Sequence, residues 1–178
     1  MKVIIIGRTG AGKSTLVKKF IELGYIPILE YYTRPPREGE VDGETYHFIS
    51  NEQFLDMKSK DLFAESIDLY TIYGIWRCGA LKSDFEGNDN RVVAMGPVQL
   101  KQILDAEIED VFSIMIDTTV EDILSRTGAR GDAREEVERR IREDDPKYEM
   151  MRDKVSLVVD GSKTPDEIMA EIRKVAGI

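Results

Sequence analysis

The chain has 178 residues, which suits one domain with a substantial hydrophobic core. Its formal net charge of −9 argues against a nucleic-acid-binding or membrane-surface protein, because both need a basic face. One cysteine excludes an intramolecular disulfide, and one histidine beside it argues against a Cys/His zinc site. The first apolar run begins at residue 3, which leaves no room for a signal peptide, and no stretch approaches membrane-spanning length. We therefore expect a soluble, cytoplasmic protein.

Apolar runs alternate with helical patterns along the chain. Five runs have the length and β-branched content of buried parallel strands: Val3–Ile6, Ile26–Leu29, Arg91–Met95, Phe112–Ile116 and Val155–Val159. Capping-box spacing, or its Asp-led equivalent, marks helix starts at Ser50, Thr118, Asp132 and Thr164. The alternation predicts an α/β protein of the P-loop NTPase fold, with a five-stranded parallel sheet flanked by helices.

The first run leads directly into a glycine-rich segment. Residues 7–14 read Gly-Arg-Thr-Gly-Ala-Gly-Lys-Ser, which fills G-x-x-x-x-G-K-S between a predicted strand and a predicted helix. Glycines let backbone N–H groups converge on an anion, and the helix N-terminus adds positive potential. Lys13 supplies charge for the β- and γ-phosphates, and the Ser14 hydroxyl is a ligand for Mg²⁺. The alternative is an ordinary turn. We expect a nucleoside triphosphate to bind at Gly7, Gly10, Ala11, Gly12, Lys13, Ser14 and Thr15.

Two stretches interrupt the alternation of strands and helices. Residues 31–85 are rich in Tyr, Arg and Gly, with short strand-like pieces and one helix, and residues 126–140 are dense in arginine. We expect a single domain with an acceptor-binding insertion at 31–85 and a short lid at 126–140. Its core would be residues 1–30, 86–125 and 141–178. Such insertions suit a two-substrate enzyme, because phosphoryl transfer requires closure around both substrates to exclude water.

The insertion carries a long, non-repetitive motif. Residues 33–48 read Thr-Arg-Pro-Pro-Arg-Glu-Gly-Glu-Val-Asp-Gly-Glu-Thr-Tyr-His-Phe. This segment closely resembles the GMP-binding segment of guanylate kinases, T-T-R-x-P-R-x-G-E-x-D-G-x-x-Y-x-F. With the glycine-rich loop, the Tyr73-Gly74 pair and the lid-like Arg-Gly-Asp stretch, the resemblance spans nearly the whole chain. It implies a nucleoside monophosphate kinase that moves the γ-phosphate of ATP onto GMP or dGMP, with Mg²⁺ as its cofactor.

Arginines and tyrosines in the insertion suit an acceptor phosphate. Arg34 and Arg37 lie on either side of two prolines, and their guanidinium forks match the oxygens of a phosphate dianion. The resemblance assigns the same phosphate to Tyr46 and Tyr73. Solvated arginines and core tyrosines are the alternative reading of these four residues.

Glu65 falls where the resembling family carries its guanine-reading glutamate. A carboxylate only accepts hydrogen bonds, and guanine presents two adjacent donors, N1–H and the 2-amino group. A solvated glutamate is the alternative, since one residue carries the match.

The resemblance also assigns lid arginines that clamp the transferring phosphoryl group and stack on adenine: Arg126, Arg130 and Arg140. With Lys13 and Arg34 they complete the expected catalytic set. The lid is about one residue shorter than usual, so Arg139 is an alternative to Arg140. A solvated helix face with i,i+4 ion pairs is the other interpretation.

Three departures from the family pattern weaken the base-reading half of the acceptor site. Glu30 stands in place of a serine, Ile75 replaces a serine or threonine, and residues 94–96 read Ala-Met-Gly instead of Asp-x-Asp. The loss of that acidic pair leaves Mg²⁺ to Ser14, the phosphates and water, which the ion tolerates. Asp117 ends the next strand, but the family is not acidic there, and we do not assign it as a ligand.

Three functions follow from these observations. The first is phosphoryl transfer from ATP to GMP or dGMP, by positioning and charge stabilisation without a covalent intermediate. The second is the same reaction on another nucleotide or on ribose 1,5-bisphosphate, because lost base contacts reduce discrimination. The third is a non-catalytic binding module, which the intact loop disfavours. We expect small nucleotides as partners, and neither nucleic acid nor membrane. The sequence leaves the oligomeric state open.

Overall fold

The computed structural model describes residues 1–71, 74–129 and 134–178, without the side chains of Glu136 and Arg140. The described strands are β1 Lys2–Gly7, β2 Ile26–Pro27, β3 Tyr31–Tyr32, β4 His47–Phe48, β5 Phe63–Thr71, β6 Gly74–Leu81, β7 Arg91–Ala94, β8 Val111–Asp117 and β9 Leu157–Asp160. The described α-helices are α1 Lys13–Glu22, α2 Asn51–Ser59, α3 Pro97–Asp105, α4 Val120–Ala129, α5 Arg134–Arg152 and α6 Pro165–Ala176. Among the described residues, no helix is both long and apolar enough to cross a bilayer.

The main sheet has five parallel strands in the order β2-β7-β1-β8-β9. This confirms the α/β class and the five-stranded parallel sheet that the sequence predicts. The central strand β1 is buried along its whole length because both of its faces carry helices. In the sheet β1 lies between β7 and β8, and the glycine-rich loop follows its carboxyl end. Open α/β sheets bind their ligands at this edge.

The alternation of side chains along β1 divides the core into two layers. Val3 and Ile5 pack with apolar residues of α1 and α6 on one face of the sheet. Ile4 and Ile6 pack with residues of α3 and α5 on the other face. Because the first turns of α5 fall within the lid expected at 126–140, this second layer connects the end of that segment to the sheet that positions the loop.

Residues 31–85 form a second sheet of four strands, in the order β4-β3-β6-β5. Its main part is the antiparallel hairpin of β5 and β6, a larger element than the short strand-like pieces expected from the sequence. The hairpin attaches to α3 through Gln102, whose side-chain amide accepts from Ser66 N at 3.0 Å and donates to Ser66 O at 3.1 Å. The insertion is thereby held against the helix that follows β7.

The structure confirms two of the four predicted helix starts. Ser50 and Thr164 both form the capping boxes expected of them. The start predicted at Thr118 is wrong by one residue: Thr119 accepts from Asp122 N at 3.1 Å, and Thr118 is buried. The start predicted at Asp132 lies outside the described residues.

Candidate active site

The glycine-rich loop joins β1 to α1 with two glycines in left-handed conformations. Gly10 has φ of 76° and Gly12, the N-cap of α1, has φ of 98°. Residues with a side chain rarely adopt this backbone conformation, whereas glycine adopts it readily. The two glycines therefore let successive backbone N–H groups turn towards one point. A Cβ at Gly10 would also lie 2.9 Å from the Thr127 methyl group. The local chain is therefore shaped for an anion at the start of α1.

A cavity of about 490 Å³ lies over this loop. Residues 9–16 form its floor, and Arg126, Gly161, Lys163 and Pro165 line it from α4 and the β9–α6 connection. Arg126 is anchored there, since its guanidinium donates to the Gly161 carbonyl at 2.7 Å. The fold thus brings Arg126 to the expected triphosphate site from more than 100 residues along the chain.

Lys13 lies folded along the loop that it belongs to. Its ammonium donates to the Gly7 carbonyl at 2.6 Å and to the Arg8 carbonyl at 3.0 Å. The Tyr148 hydroxyl of α5 donates to the same Gly7 carbonyl at 2.7 Å. Ser14 and Thr15, at the start of α1, are exposed in the cavity wall. Lys13 and Ser14 therefore both line the cavity over the loop, as expected of residues that bind a triphosphate.

Arg34 is buried in the insertion, with 6% of its surface exposed. Its two terminal nitrogens pair with both carboxylate oxygens of Glu40, at 2.6 and 2.8 Å. The guanidinium carbon lies 4.8 Å from the Tyr32 ring centre and 5.6 Å from that of Tyr46. This bidentate pair also holds the pKa of the Glu40 carboxyl below its usual value. Arg34 is thus a buried cation held by Glu40 and packed against tyrosine rings, not a solvated arginine.

Arg37 and the Arg34–Glu40 pair are joined through the backbone. The Arg37 N–H donates to Glu40 Oε2 at 2.8 Å, while its side chain is exposed. Tyr46 is half-buried beside Arg34. The structure brings three of the four expected phosphate ligands together, and the fourth, Tyr73, lies outside the described residues.

Glu65 is buried in β5, with 1% of its surface exposed, which excludes the solvated alternative. Its Oε1 accepts from Ala80 N at 2.8 Å. Its Oε2 is buried and has no hydrogen-bond partner among the described residues. A buried carboxylate oxygen without a donor is costly, and a ligand that offers N–H groups would satisfy it.

Two further polar side chains lie beside Glu65, and the sequence patterns did not assign them to a site. Glu30 is 2% exposed and Gln99 is 4% exposed. The Gln99 amide donates to Glu30 Oε1 at 2.6 Å, and its carbonyl oxygen accepts from Gly96 N at 2.9 Å. The only sequence signal was the acidic residue at position 30, where the resembling family has a serine.

Burial dominates the ionisation of both carboxyl groups. It raises the pKa of Glu30 to about 7 and that of Glu65 to about 8, and the negative charge of Glu30 raises the latter further. The Gln99 amide opposes both shifts by stabilising the charged forms. Burial also raises the pKa values of the neighbouring Tyr32 and Cys78. The cluster therefore favours neutral forms.

The lid arginines are described only in part. Arg130 lies outside the described residues, and so does the side chain of Arg140. Arg139 pairs with Glu143 at 2.6 Å on the surface of α5, as the solvated-face alternative expects. Of the three lid arginines expected at the donor site, Arg126 is the one the structure places in the cavity wall.

The family model described as guanylate kinase matches residues 1–175. The chain belongs to the guanylate kinase family. It is 34% identical to the guanylate kinase of Neisseria meningitidis serogroup B over 143 residues, 78% of this chain and 69% of that protein. It is 35% identical to that of Caldanaerobacter subterraneus over 139 residues, 75% of this chain and 66% of that protein.

A solved guanylate kinase, from Anaplasma phagocytophilum, has the same fold, with a TM-score of 0.71 and 18% sequence identity. The alignment covers 98% of this chain and 85% of that one. The expected P-loop NTPase fold is thereby confirmed.

The three departures from the family pattern have distinct structural outcomes. Glu30 joins the buried cluster, whereas Ile75 is 43% exposed on β6. Gly96 is the N-cap of α3, and its N–H orients Gln99. Asp117 accepts from Arg152 at 2.7 Å and from Arg8 at 3.4 Å, so its carboxylate is engaged by arginines. The acidic pair is replaced by the start of a helix that carries an amide into the buried cluster.

Proposed function

We propose that this protein is an ATP-dependent guanylate kinase, which transfers the γ-phosphate of ATP to GMP or dGMP and releases ADP with GDP or dGDP. The observation that carries the proposal is the complete phosphate-binding loop beneath a cavity, in a chain of this family. The comparisons do not favour another acceptor or a non-catalytic binding module. We propose core, acceptor-binding and lid segments at the boundaries expected from the sequence.

The donor site is assigned to the loop. We assign the triphosphate to the loop and helix start formed by Gly7, Gly10, Ala11, Gly12, Lys13, Ser14 and Thr15, where backbone N–H groups at the start of α1 favour an anion. Lys13 would exchange its bonds with the Gly7 and Arg8 carbonyls for bonds with the β- and γ-phosphates. Arg126 would approach the phosphates from α4, with Arg130 and Arg140 completing the clamp.

The residues present fit a magnesium ion held mainly by substrate. Ser14 offers its hydroxyl in the cavity, and the described residues contain no group of three or more His, Cys, Asp or Glu side chains suited to a metal. Mg²⁺ keeps several water ligands and binds through phosphates with few protein groups. When bound, it would neutralise developing charge on the β- and γ-phosphate oxygens.

The acceptor phosphate is assigned to Arg34, Arg37, Tyr46 and Tyr73. Glu40 fixes the plane of Arg34 in the absence of substrate and positions the Arg37 backbone. Arg37, whose side chain is exposed, would fold onto the phosphate dianion. Glu65 would accept from guanine N1–H and the 2-amino group, and its partnerless Oε2 supports this role.

The mechanism follows from positioning and charge. The acceptor phosphate would attack the γ-phosphorus in line, while Lys13 and the arginines stabilise the equatorial oxygens. A phosphate dianion is already a nucleophile, so the reaction needs no dedicated base. Closure of the insertion and lid would exclude water and prevent hydrolysis of ATP.

The deciding experiment measures ADP release by the purified protein with ATP and Mg²⁺. GMP, dGMP, AMP, CMP, UMP and ribose 1,5-bisphosphate are offered one at a time. We expect the highest kcat/KM with GMP or dGMP, and turnover lowered by about 10³-fold or more in Lys13→Ala. Turnover of another acceptor with none of GMP would contradict the proposed function.

A further inference from the structure

The carbonyl of Gly7, the last residue of β1, lies past the end of the hydrogen-bond ladder between β1 and β7. Two residues earlier, the Ile5 carbonyl accepts from Met95 N at 3.1 Å. Carbonyls two residues apart in a strand point towards the same neighbour, so the next donor in this ladder would be residue 97. That residue is Pro97, the first residue of α3, and proline has no N–H. Because Gly7 is buried, its carbonyl needs a donor from outside the sheet.

Two side chains supply that donor. Lys13 Nζ donates to the Gly7 carbonyl at 2.6 Å, and the Tyr148 hydroxyl donates to it at 2.7 Å. Tyr148 is buried in the core layer that contains Ile4 and Ile6, which fixes its ring beside the loop. Burial raises the pKa of the Tyr148 hydroxyl, so this group keeps its proton and remains a donor at neutral pH. The carbonyl thus has one charged donor from the loop and one neutral donor from α5.

Lys13 also serves the neighbouring carbonyl. It donates to the Arg8 carbonyl at 3.0 Å, so two of its three N–H groups are engaged by carbonyls. Contact with both the β- and γ-phosphates takes two N–H groups, so at least one carbonyl must lose its bond to Lys13. The Arg8 carbonyl would keep its bond from Ala11 N at 3.1 Å. The Gly7 carbonyl would keep Tyr148, the remaining side-chain donor in the described structure.

We propose that Tyr148 is a positioning residue of the donor site, whose hydroxyl keeps the Gly7 carbonyl hydrogen-bonded while Lys13 moves to the phosphates. Without this hydroxyl, binding of a triphosphate would leave a buried carbonyl unpaired, and the affinity would fall by the cost of that loss. Tyr148 acts through Lys13, since the cavity over the loop is lined by other residues. The inference rests on the donor half of the proposed function, because it assumes that phosphates draw Lys13 away from its carbonyls.

The test is a double-mutant cycle between Tyr148→Phe and Lys13→Ala, measured by calorimetric titration with the β,γ-imido analogue of ATP and Mg²⁺. With Lys13 present, Tyr148→Phe should weaken binding of the analogue by roughly fivefold or more, because the Gly7 carbonyl is left unpaired in the complex alone. With Lys13→Ala, the partners of that carbonyl are the same with and without ligand, so Tyr148→Phe should change the affinity by no more than about twofold. Equal losses in the two backgrounds would show that Tyr148 only shapes the loop, and would overturn the inference.

Tyr25→Phe is the matched control, since it removes a hydroxyl from a buried tyrosine of the other core layer. It should leave the affinity for the analogue unchanged in both backgrounds. Tyr148→Phe should also leave the affinity for GMP unchanged, because the acceptor site does not draw on Lys13. A loss of GMP affinity equal to that for the analogue would contradict a role confined to the donor site.

Urea unfolding provides a second readout that needs no ligand. After Tyr148→Phe the Gly7 carbonyl still has Lys13 as a donor, whereas in the double variant it has neither side chain. Tyr148→Phe should therefore lower the folding equilibrium constant by roughly fivefold or more in Lys13→Ala beyond its effect with Lys13 present. A double variant that does not fold, beside two folded single variants, would be the extreme case of this coupling. Additive effects on stability would overturn the inference.

Failure of this inference and failure of the proposed function give different results. A wild-type protein that binds the analogue but does not phosphorylate GMP would contradict the proposed acceptor without affecting the coupling between Tyr148 and Lys13. A wild-type protein that phosphorylates GMP but shows no such coupling would overturn the role of Tyr148 alone. Absence of analogue binding to wild type would overturn the donor-site assignment and this inference with it.

Discussion

Arg8, the second residue of the phosphate-binding loop, directs its side chain away from the loop and pairs with Asp145 of α5 at 2.5 Å. It also lies 3.4 Å from Asp117 and 5.7 Å from the centre of the Tyr148 ring. Tyr148 in turn donates to the Gly7 carbonyl. The loop is therefore held at two consecutive residues, 7 and 8, by side chains of α5. Movement of α5 would for this reason also change the geometry of the loop.

This connection predicts a thermodynamic coupling between Arg8 and Asp145. Arg8→Ala should destabilise the protein by about 1–2 kcal/mol, because it removes the ion pair and the contact with Tyr148. The double-mutant cycle with Asp145→Ala should give a coupling of about 0.5–1 kcal/mol from urea unfolding. The exposed Lys60–Asp56 pair is the matched control and should couple by about 0.5 kcal/mol or less. Equal coupling in the two cycles would contradict the fastening role.

Lys13 is the next test of the donor site. Lys13→Ala should lower phosphoryl transfer by about 10³-fold or more, because charge stabilisation of the phosphates is lost. The fold should survive, since Tyr148 still donates to the Gly7 carbonyl after the lysine is removed. Lys18→Ala, an exposed lysine on α1, should keep full activity. Steady-state kinetics and thermal unfolding check both variants, and near-normal turnover by Lys13→Ala would remove the loop from the mechanism.

Arg37 tests the acceptor site without disturbing the fold. Its side chain is exposed, so Arg37→Ala should leave the unfolding temperature unchanged. Loss of one charge-assisted contact should raise the KM for GMP by roughly 10- to 150-fold, corresponding to about 1.5–3 kcal/mol. The KM for ATP should change little. Arg34→Ala should show the same kinetic pattern and also destabilise the protein, because Glu40 loses a bidentate partner. An equal loss of ATP affinity would contradict the assignment of residues 31–85 to the acceptor site.

Much of the fold could be predicted because its signals are local. The strands of the main sheet are short apolar runs, and the caps at Ser50 and Thr164 lie three residues from their partners. The predicted start of α4 was wrong by one residue because Thr118 and Thr119 are adjacent and both have a hydroxyl that can cap a helix. Burial of Thr118 decides between them, and burial depends on tertiary packing.

The buried polar cluster could not be predicted for a related reason. Glu30 and Gln99 are 69 positions apart, and no periodicity connects a residue after β2 with the first turn of α3. The substitution of a serine by Glu30 indicated that the base site had changed, but not what replaced its contacts. The Arg8–Asp145 pair spans 137 positions and carries no local signal either.

Substitution of Glu65 tests whether this residue recognises the guanine base. Glu65→Gln replaces one acceptor oxygen with a donor that would face a guanine N–H, which costs about 1–3 kcal/mol. GMP kcat/KM should therefore fall roughly 5- to 150-fold, with ATP binding retained. Glu52→Gln, on the surface of α2, serves as the control. Unchanged GMP kinetics in a folded Glu65→Gln protein would exclude Glu65 from base recognition.

The last prediction concerns the stability of the unliganded protein against pH. Burial raises the pKa of both Glu30 and Glu65 above the usual value of 4.5, so the native state binds more protons than the unfolded state between about pH 4.5 and 8. The stabilisation from these protons is complete below that window and is lost as pH rises through it. Glu30→Gln cannot ionise, so its free energy of unfolding should increase relative to wild type from pH 5 to pH 8.5. Urea midpoints measure this difference. The Glu52→Gln protein should parallel wild type, and a parallel curve for Glu30→Gln would show that Glu30 is ionised throughout.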